Sequence, residues 1–509
     1  MLRKIRIILA TIFFVGVTLL FLDFTGTLHA WLGWMAKVQF LPAVLAMNFV
    51  VVAILLLLTL LFGRVYCSVI CPLGVMQDVI SWIHGKTKKK NRFSYSPAKK
   101  WLRYTVLALF VAGLVFGAHS IAILIAPYSA YGRIAGNLFA PLYQWANNFF
   151  AWIAERADSY AFYSVDVWIK SVSTFVISAV TFVVIAVLAW KNGRTWCNTI
   201  CPVGTVLGFF SKFSLFAPVI DTEKCRSCGL CGKQCKAACI NMKEHQIDYS
   251  RCVACMDCID TCKDGAIHYA RRKRSFAAAQ DDKKGTQDDK KGTQDDKKGA
   301  DQGRRAFLVS SAIAGTAVAA KAQEMKVDGG LTAIERAEKP ERQTPLVPAG
   351  SLSLKNFTDH CTACQLCVSV CPNQVLRPST SIMTLMQPEM SYERGYCRPE
   401  CTRCSDICPA GAIRPITREE KSSIQIGHAV VNLDNCVVNT DGVSCGNCAR
   451  HCPAGAIKMV RKNPDDPKSL MIPTVNEERC IGCGACENLC PARPFTAIHV
   501  EGHEVHKEI

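Results

Sequence analysis

The chain has 509 residues, half of them hydrophobic, with 29 cysteines and a formal net charge of +18, enough for three or four domains. A secreted disulfide scaffold is excluded, because such chains are short, irregularly spaced in cysteine and preceded by an export signal. Nucleic-acid binding is set aside too: the Lys and Arg cluster at the ends of apolar segments, where membrane orientation accounts for them, and no reader motif accompanies them.

The apolar excess lies before residue 190, in four stretches at 5–24, 41–62, 102–125 and 172–190. Each is long enough to cross about 30 Å of hydrocarbon at about 1.5 Å per helical residue. The first is read as a span rather than a cleaved signal, since three more follow and no small-residue cleavage site lies behind it. Arg3, Lys4 and Arg6 precede the first span, and seven cations from Lys86 to Lys100 separate the second from the third. Those regions are expected in the cytoplasm, and the cation-poor loops 25–40 and 126–171 outside. Asp23 and His119 are candidate proton acceptors near membrane depth, against a plainer reading as interfacial or packing residues.

This half repeats itself. Gly63-Arg64-Val65-Tyr66-Cys67-Ser68-Val69-Ile70-Cys71-Pro72-Leu73-Gly74 is echoed by Gly193-Arg194-Thr195-Trp196-Cys197-Asn198-Thr199-Ile200-Cys201-Pro202-Val203-Gly204. Both copies follow an inward-going span, so a two-fold arrangement could gather Cys67, Cys71, Cys197 and Cys201 into an iron-sulfur centre, a redox dithiol pair or a structural cluster.

Cys225, Cys228, Cys231 and Cys235 have the x2, x2, x3 spacing of a bacterial ferredoxin, repeated by Cys252, Cys255, Cys258 and Cys262. In that arrangement the fourth cysteine of each group ligates the other [4Fe-4S] cluster, which pairs Cys262 with the first three and Cys235 with the second three. Zinc held by four thiolates is the competing metal. Cys239 is left over and is read as a small core residue.

From Gln280 the heptad Gln-Asp-Asp-Lys-Lys-Gly-Thr runs three times, changed at the end to Ala300; it cannot bury a core and reads as a tether. Gly303-Arg304-Arg305-Ala306-Phe307-Leu308, with the Ala-rich stretch behind it, reads as an internal twin-arginine export signal, against a short helix with two chance arginines. Four further groups follow, Cys361, Cys364, Cys367, Cys371; Cys397, Cys401, Cys404, Cys408; Cys436, Cys445, Cys448, Cys452; and Cys480, Cys483, Cys486, Cys490, each ending in Cys-Pro. Sixteen thiolates suffice for four cubanes, six in all with the first region.

The expected fold is therefore an α-helical membrane domain of four spans (1–215), with the signal as a fifth if it inserts, joined to α+β ferredoxin-like [4Fe-4S] domains. The latter comprise a two-cluster domain (216–270) and a four-cluster domain (350–509), separated by the linker (271–302) and the signal (303–325). On these motifs residues 1 to about 270 resemble NapH, the quinol-oxidising membrane subunit associated with periplasmic nitrate reductase, and 303–509 is similar to its four-cluster partner class, NapG and MauM. The Cys397-x3-Cys401 spacing departs from that pattern. The resemblance implies a fusion in a bacterial inner membrane, with the first ferredoxin domain cytoplasmic and the last periplasmic. It also implies menaquinol as donor, a separate reductase or electron-transfer protein as acceptor, and exchange of fourth ligands between groups one and four and between two and three. An assembly or regulatory membrane protein for a respiratory metalloenzyme is the alternative.

Overall fold

The computed structural model describes residues 1–87, 93–272, 327–328, 332–333 and 337–509. The tether and the twin-arginine segment lie outside the described residues. One compact unit comprises Met1–Tyr269 with Glu335–Ile509, and a second comprises Ala270–Ile334.

Helix α1 (Leu2–Leu22) carries its charges at its start and is otherwise apolar. Among the described residues, two helices, α1 and Val172–Asn192, are long and apolar enough to cross a membrane. The expected spans at 41–62 and 102–125 are not continuous. After α2 (Leu28–Leu32) and α3 (Trp34–Lys37), the first of them splits into α4 (Phe40–Leu45) and α5 (Phe49–Phe62). Met47 sits between these at φ +51, and Asn48 caps the new helix by accepting from Val51 N. The second splits at Gly117 (φ +77) into α8 (Lys100–Val115) and α9 (His119–Ile125). A residue in the left-handed region ends the i→i−4 ladder and turns the chain, which a hydropathy average over the whole stretch does not register.

The expected outward loop 25–40 instead folds back along α1. Met35 packs against Gly16, where a Cβ would lie 2.5 Å from the Met35 sulfur. At the turn Gln39 is fully buried and donates from Nε2 to the carbonyls of Met35 (3.2 Å) and Ile70 (3.3 Å). Tyr66 donates to Gln39 Oε1 (3.1 Å) and accepts from Phe40 N (3.0 Å). Nor is 126–171 an open loop: α10 (Pro127–Ile134), a π turn (Ala135–Phe139) and α11 (Ala140–Arg156) occupy most of it, with every residue of α10 buried.

Each repeat ends in a short helix, α6 (Val65–Val69) or α13 (Thr195–Thr199), and then α7 (Pro72–Thr87) or α14 (Pro202–Ser211), with the long helix α12 (Val172–Asn192) preceding α13. Proline at the start of α7 and α14 loses no helical bond, because its N–H would be unpaired there anyway.

The first ferredoxin domain has β1 (Phe216–Ile220) beside β4 (Ile267–Arg271), and the hairpin β2 (Ile240–Asn241), β3 (Gln246–Ile247) between its cysteine groups. In the second unit, the described residues form the antiparallel pair β5 (Val327–Asp328), β6 (Thr332–Ala333). The C-terminal domain is built from hairpin β7 (Leu376–Pro378), β8 (Pro388–Met390); hairpin β10 (Ile457–Arg461), β11 (Met471–Val475); and the antiparallel pair of β9 (Ile424–Val431) with β12 (Ile498–Glu508).

The two ferredoxin regions meet opposite ends of α1. Arg3, at its start, bonds Asp257 (3.0 Å) and Asp260 (2.7 Å) of the first domain. Just past its end, the carbonyl of Thr25 accepts from Arg403 of the C-terminal domain (3.2 Å). Twenty-one helical residues separate these contacts, about 30 Å. On the far side the docking is completed by His119 with Asp359 (3.2 Å), Asn137 with Gln365 (2.9 Å) and Arg394 with Asp166 (2.8 Å).

Candidate functional site: the cysteine groups

The two Cys-x3-Cys-Pro elements come together as the repeat predicts. Cys67, Cys71, Cys197 and Cys201 are each 4% exposed and fall within electrostatic range of one another. The contact is reciprocal: Arg64 donates to the carbonyl of Cys197 (3.1 Å) and Arg194 to that of Cys67 (2.8 Å). Gly74 and Gly204 make this approach possible, since a Cβ on Gly74 would stand 2.6 Å from Arg194 Nη1 and one on Gly204 2.8 Å from Arg64 Nη2.

Both guanidiniums are wholly buried and reach the thiols, Arg64 to Cys67 Sγ at 3.7 Å and Arg194 to Cys197 Sγ at 3.9 Å, while Gln77 Nε2 donates to Cys197 Sγ at 3.3 Å. Arg194 is paired with Asp78 (2.8 Å). Arg64 has, among the described residues, no carboxylate partner; its bonds go to Asn198, the Ser250 carbonyl and the cysteines. A buried cation without a counter-ion is costly, so the four sulfurs are the groups able to supply the missing negative charge, as thiolates or as ligands of an anionic cluster. In the sequence these arginines are marked only by their matched positions in the repeat.

In the first ferredoxin domain Cys235, Cys252, Cys255 and Cys258 line one cavity, the crossed set expected from the spacing. Cys225, Cys228 and Cys231 lie together at the start of α15 (Leu230–Gln234), beside α16 (Asp257–Thr261), which ends at Cys262. Cys239, read from sequence as a core residue, is buried but not inert. Its sulfur is 3.5 Å from that of Cys235. Hydrogen bonding from its neutral thiol lowers Cys235 to about 7, against the opposing effect of burial, and lowers Cys252 as well.

The C-terminal domain corrects the pairing implied by the resemblance. Cys371 lines a cavity with Cys397, Cys401 and Cys404, and Cys452 lines one with Cys480, Cys483 and Cys486. Reciprocally, Cys408 faces Cys361, Cys364 and Cys367, and Cys490 neighbours Cys436, Cys445 and Cys448. The fourth cysteine of group one thus lies with group two and that of group two with group one, and groups three and four are related in the same way. The reason is local: hairpin β7–β8 joins group one to group two and hairpin β10–β11 joins group three to group four, so each exchange is made between loops the chain has already folded together.

These residues fit [4Fe-4S] clusters. All 29 cysteines are free thiols. They are spread around cavities and do not converge on a point: among the described residues, no three His, Cys, Asp or Glu side chains close around a single-ion position. Burial pushes Cys448 up to about 11 and Cys483 up to about 12, so thiolates at these sites need a bonded cation. Lys421, 6% exposed, already supplies one compensating charge, with Nζ 3.2 Å from Cys397 Sγ and bonded to the carbonyls of Arg398 and Cys401. Burial opposes its charge, but Cys397 outweighs that and holds the amine above its ordinary range. No local pattern marks Lys421 in the sequence.

The candidate proton acceptors have other employment. Asp23 accepts from the backbone N–H groups of Thr25, Gly26 and Leu28 and pairs with His29 (3.1 Å), which orders the turn leaving α1. His119 belongs to the contact with the C-terminal domain.

Comparison with known proteins agrees with the cysteine chemistry. A 4Fe-4S binding domain family matches residues 44–91 and 174–218, the two Cys-x3-Cys-Pro repeats. A second 4Fe-4S binding domain family matches 357–377, and a 4Fe-4S dicluster family matches 396–456 and 441–493. The chain is 32% identical over 167 residues to the methylamine utilization ferredoxin-type protein MauM of Methylobacillus flagellatus, covering 31% of this chain and 69% of MauM. It is 31% identical over 181 residues to the ferredoxin-type protein NapG of Escherichia coli, covering 33% and 77%. It is 24% identical over 229 residues to the ferredoxin-type protein NapH of Haemophilus influenzae, covering 43% and 66%. Across relatives such as these the chain spans from 39% to 77% of their length. No solved structure matches. With its iron-sulfur motifs, its cysteine cavities and these identities, the chain belongs to the family of ferredoxin-type proteins represented by MauM and NapG.

Proposed function

We propose that this protein carries electrons across a bacterial inner membrane, from menaquinol to a separate periplasmic reductase or electron-transfer protein. The observation that carries the reading is the attachment of cysteine-rich domains to opposite ends of α1, with the buried cysteine quartet in the helical domain that joins them. When bound, [4Fe-4S] clusters supply one-electron carriage. We count six of them, with the quartet as a seventh site.

The chain's own residues keep that route dry. Tyr66 lies within electrostatic range of Cys67 and Cys71, and Tyr128 within range of Tyr66 and of Cys364 and Cys408. Both rings are 1% exposed, so packed side chains fill the space between the quartet and the C-terminal domain. Membrane placement is supported by large apolar side chains left exposed along the helices: Ile8 and Ile12 on α1, Val50 and Ile54 on α5, Leu109 and Val115 on α8, Val180 and Val187 on α12. A contiguous exposed apolar face marks a surface that meets lipid or a partner. We take α1, α5, α8 and α12 as the four spans. With 14 and 16 residues, α5 and α8 need the local bilayer to thin or their flanking segments to complete the crossing. Arg304 and Arg305 serve in this scheme as the export signal, a route that accepts a domain already loaded with clusters.

Reporter fusions after Ala270 and after Gly350 test the topology, with cytoplasm expected at the first and periplasm at the second. Cytoplasm at both sinks the transmembrane relay. Purified without oxygen, the protein should hold about 24 to 28 iron atoms, for six or seven cubanes. Stoichiometric zinc with little acid-labile sulfide overturns the cofactor assignment.

A further inference from the structure

The first ferredoxin domain has two unlike ends. Its inner site, lined by Cys235, Cys252, Cys255 and Cys258, is fastened to the cysteine quartet of the helical domain by bonds on both of its loops. Arg64, whose Nη2 reaches Cys67 Sγ (3.7 Å), donates from Nη1 to the carbonyl of Ser250, two residues before Cys252 (3.2 Å). On the other loop, Arg194 N donates to the carbonyl of Lys236, next to Cys235 (2.8 Å), and Asn198 Nδ2 to that of Ala237 (3.2 Å). The packing is close: a Cβ on Gly193 would stand 2.5 Å from the Lys236 oxygen, and one on Gly208 2.5 Å from the Ser250 oxygen.

The outer site, of Cys225, Cys228 and Cys231 with Cys262 as the crossed fourth ligand, is the reverse. Of the 29 cysteines, Cys228 alone is exposed. Thr222, Glu223, Lys224, Arg226 and Ser227 on the same loop are exposed too, and a Cβ on Gly229 would meet nothing within 4 Å. Leu230, 44% exposed, gives the opening an apolar spot. The chain beside the outer ligands carries Lys224, Arg226, Lys233 and Lys263 against Asp221, Glu223 and Asp264, while Lys243 and Glu244 of the β2–β3 hairpin cancel. Lys224 pairs with Asp221 (3.4 Å) and Arg226 with Asp264 (3.5 Å). Lys233 and Lys263 are exposed and, among the described residues, have no carboxylate partner. A small apolar centre with a charged rim is the make-up of a transient protein interface.

We propose that the outer site is a port at which a soluble, acidic one-electron carrier protein, on the cytoplasmic side of the scheme above, hands electrons to this chain. The port goes beyond the quinol reading, since a route from menaquinol to the C-terminal domain needs no opening to solvent at this end; it rests on the cluster assignment. The reduced carrier loses one electron to the outer site, with no bond made or broken, and the electron passes to the inner site and on to the quartet. The order follows from the contacts: the inner loops touch the quartet, and the outer loop meets solvent.

The test uses the full-length protein, oxidised and in detergent without oxygen, mixed with a plant-type [2Fe-2S] ferredoxin that has been reduced and freed of reductant. Freeze-quench EPR separates the probe's signal from the [4Fe-4S] signals of the chain. Electrons should move from the first to the second, more slowly as salt is added. Lys233→Glu combined with Lys263→Glu, and separately Leu230→Glu, should slow the transfer at least tenfold with iron content unchanged. Both variants should still be reduced by the methyl viologen radical to the wild-type extent, which shows that the centres past the port are intact. Lys458→Glu, exposed on the C-terminal domain, should change nothing. Slowing by Lys458→Glu alone would put the entry on the C-terminal domain and overturn the proposal. So would equal rates in wild type and port variants with both reduced ferredoxin and flavodoxin hydroquinone. No transfer from either carrier, with menadiol still bleaching the protein's visible absorbance, overturns the port and leaves quinol oxidation standing. Transfer from a carrier with no response to menadiol keeps the port and removes quinol as donor.

Discussion

Removing the charge of Lys421 should make the centre held by Cys371, Cys397, Cys401 and Cys404 harder to reduce. Nζ lies 3.2 Å from Cys397 Sγ, the side chain is 6% exposed, and among the described residues no carboxylate pairs with it. An added electron spreads over the iron-sulfur core beyond that sulfur, so we take the charge separation as about twice the contact distance. With an effective dielectric of about 20, the attraction is about 2.5 kcal/mol, or about 100 mV for one electron. Lys421→Met should lower one potential in an anaerobic EPR-monitored titration by that order. Lys421→Arg should restore most of it, and Lys421→Gln separates charge from the bonds to Arg398 and Cys401. A Met variant with full iron content and no potential moved by more than about 20 mV would refute the reasoning.

Cys371→Ser should abolish the signal of the centre held by Cys397, Cys401 and Cys404, leaving that of Cys361, Cys364 and Cys367 with its Cys408 ligand; Mössbauer or EPR signatures of the Cys371 and Cys408 single variants distinguish this from the exchange of groups one with four. Cys239→Ala should retain all iron and lower one potential of the first domain by about 40 mV for each hydrogen bond of roughly 1 kcal/mol removed, whereas loss of four irons would make Cys239 a ligand. His506 has both ring nitrogens buried without partners, and burial, aided by His503, lowers it to about 4. Because the folded state resists protonation, stability is full above about pH 6.5 and falls as pH drops toward 4, by on the order of 2 kcal/mol. Hydrogen-exchange protection of the β9–β12 pair, corrected for intrinsic rates, should fall over that window and do so less in His506→Gln; equal pH dependence in both would exclude His506 as the source.

Ligand spacing is a local property of the chain, and so the six cysteine groups were legible in the sequence, as was the paired Cys-x3-Cys-Pro repeat whose symmetry brings Cys67, Cys71, Cys197 and Cys201 together. The crossed set Cys235, Cys252, Cys255, Cys258 was legible for the same reason, since the two groups abut. In the C-terminal domain the fourth ligands depend on which loops fold beside which. The hairpins β7–β8 and β10–β11 decide that, through short pairings that no cysteine spacing encodes.

Apolar composition placed the helical half correctly, because burial from water depends on how much apolar surface a segment carries. It could not show that Met47 and Gly117 turn the chain back on itself or that Gln39 reaches Tyr66, since one left-handed residue changes direction without changing hydropathy. Lys421 lies beyond local reading altogether, and Arg64 is marked in the sequence only by its matched place in the repeat. Each of these two buried charges is set beside a cysteine sulfur, and for Lys421 that neighbour exists only once distant loops have closed.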